Sequence, residues 1–405
     1  MVVARTSLHR ARVVGLLLSL AAAGGLAADA ASSATAPPPA SAASVADLPA
    51  RADWHALNHQ AALQAKAQDY AGLHGTLLRL APLMPGSPTI TYNLAATAAR
   101  LGHVDEALGE LAHLADAGLS YDLAADDDFA ALAGRADFRG LQERLKANRQ
   151  PLGTPQRVQA LALADALPES LAWDPHGQRL FVSSVRHCEI RVIDDPGRGA
   201  AASTSGRRFA RLPASAFALG VEAHRHRLWV TIATVAQADQ CGEGPASAER
   251  TALLALDLRT GQVLQRVEAG LPGVLGDMLV ADDGTVYVTE SVHGAVLRLR
   301  PGAAAFDRLD REGEFASPQT PALSVDGRTL FVPDYVRGLG AIDLGACPCA
   351  ARWPANGPGV YTAGIDGLVR DGDTWVAVQN GTTPPRISAT MPSDTSPCPA
   401  DIVIR

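Results

Sequence analysis

The sequence has no excess of basic residues, because its 35 lysines and arginines are outnumbered by 42 aspartates and glutamates, for a net charge of −7. Binding to nucleic acid through phosphate contacts requires a basic surface. The composition therefore argues against a nucleic-acid partner. The 405 residues are enough for two domains, and the 47% of hydrophobic residues are enough for a sizeable core.

Long apolar runs are also scarce. The run at Val13–Ala27 is short for a membrane span, and no second run follows it. It lies between an arginine-containing start and an A-x-A sequence at 28–30, which is the order of a signal peptide. We predict a signal peptide at 1–30, a low-complexity linker at 31–50, and a periplasmic or secreted protein with no stable membrane span after cleavage. An uncleaved anchor is the alternative.

The cysteines lack the paired C-x-x-C spacing of zinc sites, since Cys347 and Cys349 form only C-x-C. Disulfides are possible in an exported protein. The five cysteines are an odd number, so we predict one or two disulfides with one thiol left over, Cys398 being the fifth cysteine. We pair Cys188 with Cys241, because both fall near the ends of neighbouring sheet units.

A serine-hydrolase signature is absent as well. Ser183 and Ser184 lie close to His187, but no G-x-S-x-G precedes a helix, so they do not form a nucleophile elbow. His224 and His226 alternate with arginines, which we interpret as a solvated hairpin rather than a metal site.

Residues 52–148 are rich in alanine and leucine with helical periodicity. In "YNLAATAARLGHVDEALGELAHLADAG", at 92–118, apolar residues occupy one face of two successive helices separated by Gly102. This segment resembles a tetratricopeptide helix pair, whose period is about 34 residues. We predict a small all-α tetratricopeptide-like domain at 52–148, with a surface for a protein partner. Generic helical hairpins are the alternative.

From about residue 155 the apolar periodicity changes to two. Five segments repeat one order: an apolar strand, a turn that is mostly rich in Asp and Gly, and a strand such as "LFV", "LWV", "VYV" or "TWV". The turns recur roughly every 45 to 60 residues, which is typical of a β-propeller. We assign an all-β propeller to 155–387. A β-sandwich, the alternative, would not repeat one phrase five times.

The phrases "PESLAWDPHGQRLFV", "GDMLVADDGTVYVTE" and "GIDGLVRDGDTWVAVQNG" follow in this order. Together they resemble the superfamily of senescence marker protein, gluconolactonase and luciferin-regenerating enzyme. The resemblance implies a six-bladed propeller, of which five blades are complete here, with one divalent metal on the axis. It also implies hydrolysis of a lactone or ester, a lactone or sugar acid as substrate, and no organic cofactor.

The innermost strands of a propeller run the same way along the axis, so the residues that begin them converge. Here these are Glu169, Asp277, Gln319 and Asp366. The resemblance implies that Glu169, Gln319 and Asp366 bind the metal, which would be Ca²⁺, Mn²⁺ or Zn²⁺. Gln319 stands where relatives have an Asn ligand and can still offer an amide oxygen. Such a metal would polarise a carbonyl, and Asp277, Asp366 or a metal-bound water would act as base.

Two questions stay open. Acidic residues before propeller strands often only bond backbone N–H groups, and the chain would then be a non-catalytic protein that binds partners through its helices and propeller. Residues 388–405 show almost no strand pattern until the end, and we expect an irregular, non-native tail left by loss of the natural end. A true five-bladed ring is the alternative.

Overall fold

The computed structural model of the chain describes residues 54–152, 162–163, 166–194, 196, 206–213, 216–234, 250–345, 351–354, 360–372, 374–392 and 402–404. The chain divides into two compact units, residues 1–149 and 150–405. The predicted signal peptide and linker lie outside the described residues. Among the helices of the described part, none combines the length and the apolar character needed to cross a bilayer.

The first unit is helical. Its α-helices are α1 Trp54–Ala67, α2 Tyr70–Leu80, α3 Pro88–Leu101, α4 Val104–Asp116 and α5 Ala136–Ala147, with 3₁₀ turns at Ala81–Leu83, Leu123–Ala125 and Asp127–Leu132. Proline suits the first position of α3, since its missing N–H needs no partner there. Gly102 ends the same helix at φ 79°, a left-handed conformation that glycine adopts without strain.

Small residues let α3 pack closely between its neighbours. Ala95, Ala96 and Ala98 are fully buried on this helix, which contacts both α2 and α4. Phe129 and Phe138 close the other side of the core as a stacked pair. The predicted helices are confirmed within 54–147, whereas the tetratricopeptide assignment stays a prediction.

The second unit contains five antiparallel sheets within the described residues, each following the chain order of its strands. They are β1 Leu171–Asp174, β2 Arg179–Ser184, β3 Glu189–Asp194 and β4 Arg207–Arg211; β5 Ala216–His224, β6 Arg227–Thr234, β7 Arg250–Asp257 and β8 Val263–Glu268; β9 Leu275–Val280, β10 Val286–Glu290, β11 Ala295–Leu299 and β12 Asp307–Arg308; β13 Ala322–Leu323, β14 Thr329–Asp334 and β15 Gly338–Asp343; β16 Ile365–Asp371, β17 Thr374–Gln379, β18 Arg386–Pro392 and β19 Ile402–Ile404.

These sheets are the blades of a β-propeller, which confirms the predicted architecture for this unit. Apolar faces pack between successive blades: Phe181 and Val192 of blade one share a core with Val230 and Leu254 of blade two. The six-bladed form implied by the resemblance is not confirmed, since five blades are found in the described part of the chain.

The expectation of an irregular segment at 388–405 is wrong for part of its length. Arg386–Pro392 is the third strand of blade five, and Ile402–Ile404 pairs with it as the fourth, with Thr390 opposite Ile404. The physical reason is that a β-branched triplet favours an extended backbone and satisfies the open edge of its neighbour.

Cys188 lies at φ 50° just before β3 and is disulfide-bonded. Cys241, the partner that we predicted, lies outside the described residues, as do Cys347, Cys349 and Cys398. The pairing therefore stays a prediction.

Candidate functional site

One channel of about 1000 Å³ is lined by the first strand of all five blades. The residues that begin these strands, or lie just before them, are close to one another there, as expected for a propeller. The channel mixes acidic side chains with apolar ones, and the acidic ones belong to blades one, two, three and five: Glu169, Glu222, Asp277, Asp282, Asp283 and Asp366.

Irregular strand pairing positions two of these carboxylates. In β9, Leu275 pairs with Glu290 and Met278 with Val288, so that two residues, one of them Asp277, face a single partner. Strand β16 has a similar register shift, which contains Asp366. A bulge of this kind turns a side chain away from the regular alternation. The local backbone therefore explains why both residues line the channel.

Hydroxyl groups link neighbouring blades at this level. The Ser170 Oγ of blade one accepts a hydrogen bond of 3.2 Å from the N–H of Val221 in blade two. The Thr231 hydroxyl of blade two donates to the carbonyl of Gly276 in blade three at 2.7 Å. These bonds fix the first three inner strands relative to one another.

Thr320 continues this linkage to blades three and five. Its Oγ1 lies 2.6 Å from Asp277 Oδ2, to which it donates, and 3.0 Å from the backbone oxygen of Asp366. The second oxygen of the Asp366 carboxylate, Oδ2, accepts a hydrogen bond of 2.6 Å from Asn380 Nδ2. Both aspartates are therefore held in orientation by neutral donors.

The channel carboxylates are close enough to repel one another. Partial removal from water, and then the charge of Asp366, raise the pKa of Glu169. Desolvation raises the pKa of Asp277 to about 6, with Asp366 and Glu169 adding to the effect and the Thr320 hydrogen bond opposing it. Within the described part of the chain, no basic side chain forms an ion pair with any of the three.

Glu222 was missed by sequence reasoning. Burial raises its pKa to about 7, helped by the charge of Asp277 and opposed by a hydrogen bond from the Val280 backbone. The sequence "ALGVEAH" could have indicated this residue, because one acidic residue interrupts an otherwise apolar inner strand there.

Gln319 occupies a different place from the other three predicted site residues. Its Nε2 donates to the backbone oxygen and the hydroxyl of Ser317 at 3.1 and 3.0 Å, and Thr320, not Gln319, belongs to the channel lining. The longer side chain folds back onto its own loop. The structure thus brings Glu169, Asp277 and Asp366 to one channel, with Thr320 in contact with both aspartates.

The chemistry of the channel suits a hard divalent cation, because its donors are carboxylate oxygens. Arg370 also lines the channel but forms no ion pair with these carboxylates within the described residues. These carboxylates are not gathered as tightly as a finished metal site. In the part of the chain that the structure describes, three His, Cys, Asp or Glu ligand atoms come within 4.8 Å of one another in the helical unit, at His74, His103 and Glu106. The channel oxygens would have to move together on binding.

No protein-family profile matches the sequence, and no curated protein matches it. Among solved structures, the chain is similar to a gluconolactonase from Xanthomonas campestris, with 18% identity, 63% of this chain and 88% of that chain covered, and a TM-score of 0.40. It is also similar to a calcium-binding protein, regucalcin, from Agrobacterium tumefaciens, with 16% identity, 55% and 69% covered, and a TM-score of 0.39.

A PQQ-bound aldose sugar dehydrogenase from Streptomyces coelicolor has 18% identity and a TM-score of 0.41, with 62% of this chain and 84% of that chain covered. At these TM-scores we base no assignment on the similarities. The blade architecture follows from the sheets of the chain itself.

Proposed function

We propose that the channel binds a divalent cation through Glu169 and Asp366 and that the protein hydrolyses a small lactone or ester there. The observation that carries this proposal is the convergence of Glu169, Asp277 and Asp366 from three blades, without a basic partner in the described residues. When bound, a divalent cation would polarise the carbonyl of the substrate.

Asp277 is the best candidate for the general base. A pKa of about 6 leaves it ionised at neutral pH, yet basic enough to accept a proton from a water molecule. The Thr320 hydroxyl holds one of its oxygens, so the other is directed to substrate or water. Asn380 orients Asp366 in the same way.

The dimensions of the channel support a small-molecule substrate. A volume of about 1000 Å³ is at the upper end of ordinary ligand pockets, roughly 300–1,000 Å³. Partly buried acidic groups next to apolar walls suit a neutral, polar substrate of a few carbon atoms better than an anionic one.

A second candidate function is binding without catalysis. Four apolar side chains of the channel lining are strongly exposed: Leu171, Val325, Val369 and Val378, at 59, 51, 61 and 45%. Exposed apolar groups that line one opening are typical of a surface that binds a peptide or another apolar ligand.

Calorimetric titration with Ca²⁺ and Mn²⁺ tests the first proposal. We expect Asp366→Asn to weaken binding at least about tenfold, as loss of a metal ligand does. The matched control is Asp371→Asn, an exposed carboxylate of the same strand. Absence of binding, or equal binding in both variants, would exclude the metal-dependent hydrolase. Cation binding with no turnover of lactones or esters would favour the second candidate.

We further propose that the protein is exported and that its mature form begins near Ala31. Amino-terminal sequencing of the periplasmic or secreted product tests this. An intact Met1 in the cytosolic fraction would contradict it.

A further inference from the structure

A compact group of metal-ligating side chains lies in the helical unit, apart from the propeller channel. His74 is on α2, His103 is the residue before α4, and Glu106 is in the first turn of α4. Their ligand atoms all lie within 4.8 Å of one another. The His74 and His103 rings meet edge to face, with their centroids 5.9 Å apart.

A hydroxyl of the neighbouring helix α3 fixes the His74 ring. Thr97 Oγ1 lies 2.9 Å from Nδ1 of His74 and 2.8 Å from the carbonyl oxygen of Asn93. When the hydroxyl donates to this carbonyl, its oxygen accepts from Nδ1–H, and Nε2 of the ring carries a lone pair on the side of the Glu106 carboxylate.

Glu106 contacts both histidines through its two carboxylate oxygens. His74 Nε2 lies 3.1 Å from Glu106 Oε1, and His103 Nδ1 lies 3.4 Å from Glu106 Oε2. Each pair can be joined by a hydrogen bond or by a metal ion that both atoms bind. A hydrogen bond at the far ring nitrogen, which Thr97 supplies to His74, also supports metal-binding histidines.

The distances fit a metal ion of the first transition series. Ligand atoms at ~2.0–2.1 Å from a tetrahedral zinc ion are about 3.3 Å apart. Each histidine–glutamate distance is close to this value, although the two distances are measured to different oxygens of Glu106. Two imidazoles and one carboxylate favour zinc over calcium or magnesium, which take oxygen ligands. His103 makes no side-chain cap bond at the helix start.

Burial decreases across the group. The side chain of His74 is 10% exposed, whereas those of Glu106 and His103 are 36 and 54% exposed. The buried histidine is held by α3, and the two exposed ligands give an ion access from solvent. A water molecule would complete the four-coordinate arrangement on the open side.

We propose that His74, His103 and Glu106 bind one zinc ion, which connects α2 to the start of α4. The ion takes the place of the direct contact between His74 and Glu106. It joins residues that are 32 positions apart in the sequence (106 − 74), and therefore stabilises the packing of successive helices. This site is independent of the chemistry of the propeller channel.

Titration of the full chain with ZnCl₂ tests this proposal. The thiols are first alkylated, and the Asp366→Asn background is used so that neither cysteines nor the channel contribute. We expect His103→Gln and Glu106→Gln each to weaken zinc binding at least about tenfold. Both residues are exposed enough for the variants to fold. Zinc should raise the melting temperature of the parent and leave that of the variants unchanged.

His293→Gln is the matched control. Its Nδ1 lies 3.6 Å from Glu290 Oε2 at the same i,i+3 spacing, and its side chain is 57% exposed. Cobalt adds a spectroscopic readout, because tetrahedral Co²⁺ absorbs visibly when ligated by His103 and Glu106. The proposal is overturned if zinc does not bind, if His103→Gln binds as the parent does, or if His293→Gln loses binding equally. An ordinary hydrogen bond between His74 and Glu106 would then account for the contact.

Discussion

The propeller contains two sets of carboxylates that are removed from solvent, and their surroundings differ. Glu290 and Asp334 end the second strands of blades three and four, and both are fully buried. Glu290 accepts hydrogen bonds from three backbone N–H groups, and Asp334 from four. Within the described residues, the carboxylate of Asp277 in the channel accepts one side-chain hydrogen bond, from Thr320, and has two acidic neighbours.

The comparison separates a structural role from a functional one. A carboxylate surrounded by backbone donors fixes the loops that carry these donors and has at most one lone pair left for a ligand. A carboxylate with one neutral donor and like-charged neighbours is destabilising unless it is protonated or binds a cation. The two sets share the carboxylate group but differ in strand position and in hydrogen-bond donors, and the donors decide the role.

The largest expected effect comes from removing a structural carboxylate. Asp334→Ala leaves four backbone N–H groups without their acceptor, and we expect the free energy of unfolding to fall by about 3 kcal/mol or more. Urea unfolding measures it. Asp371→Ala, an exposed change in blade five, should cost less than about 0.5 kcal/mol. Equal losses would contradict the structural role.

Removing a carboxylate from the channel should not lower the free energy of unfolding. Asp277→Asn removes a partly buried charge that Asp366 and Glu169 repel, so stability at pH 8 without added metal should stay equal or rise by about 1 kcal/mol. The same urea experiment measures the change. A loss above about 1 kcal/mol would mean that Asp277 holds the fold and would remove the contrast with Asp334.

The pH dependence of stability follows from the same group. The pKa of Asp277 is raised from 3.8 to about 6, so the folded state binds more protons than the unfolded state between these values. Its stabilising contribution is complete below pH 3.8 and is lost as pH rises through 6. The slope approaches about −1.4 kcal/mol per pH unit for one proton.

Comparison with Asp277→Asn isolates this contribution, because the variant should lose stability less steeply between pH 4 and 6. Glu222, whose pKa is raised to about 7, extends the decline upward in both proteins. Identical profiles for the two proteins would show that the pKa of Asp277 is not raised.

The sequence predicted the parts of this arrangement that depend on local pattern. Period-two strands and Asp/Gly turns predicted the blades, and position before or within an inner strand predicted that Glu169, Asp277 and Asp366 converge. The same argument included Gln319, whose side chain instead bonds Ser317. Thr320 and Glu222 were not predicted, because their contacts depend on the packing of one blade against the next. The strand pattern at the end of the chain was noted, but the pairing of Ile402–Ile404 with β18 was not predicted, because a segment without any strand pattern separates the two strands.

The smallest effects distinguish two adjacent residues of blade four. Thr320→Val removes the hydroxyl that lowers the pKa of Asp277. The pH dependence of the hydrolysis rate should therefore shift detectably to higher pH. Cation affinity should fall about threefold. Gln319→Ala should change the affinity by less than about twofold, because its amide bonds Ser317. Calcium titration and initial rates of lactone hydrolysis measure both variants. A tenfold loss in Gln319→Ala would mean that this amide turns from Ser317 into the channel when a cation binds, and that Gln319 is a ligand as the resemblance implied.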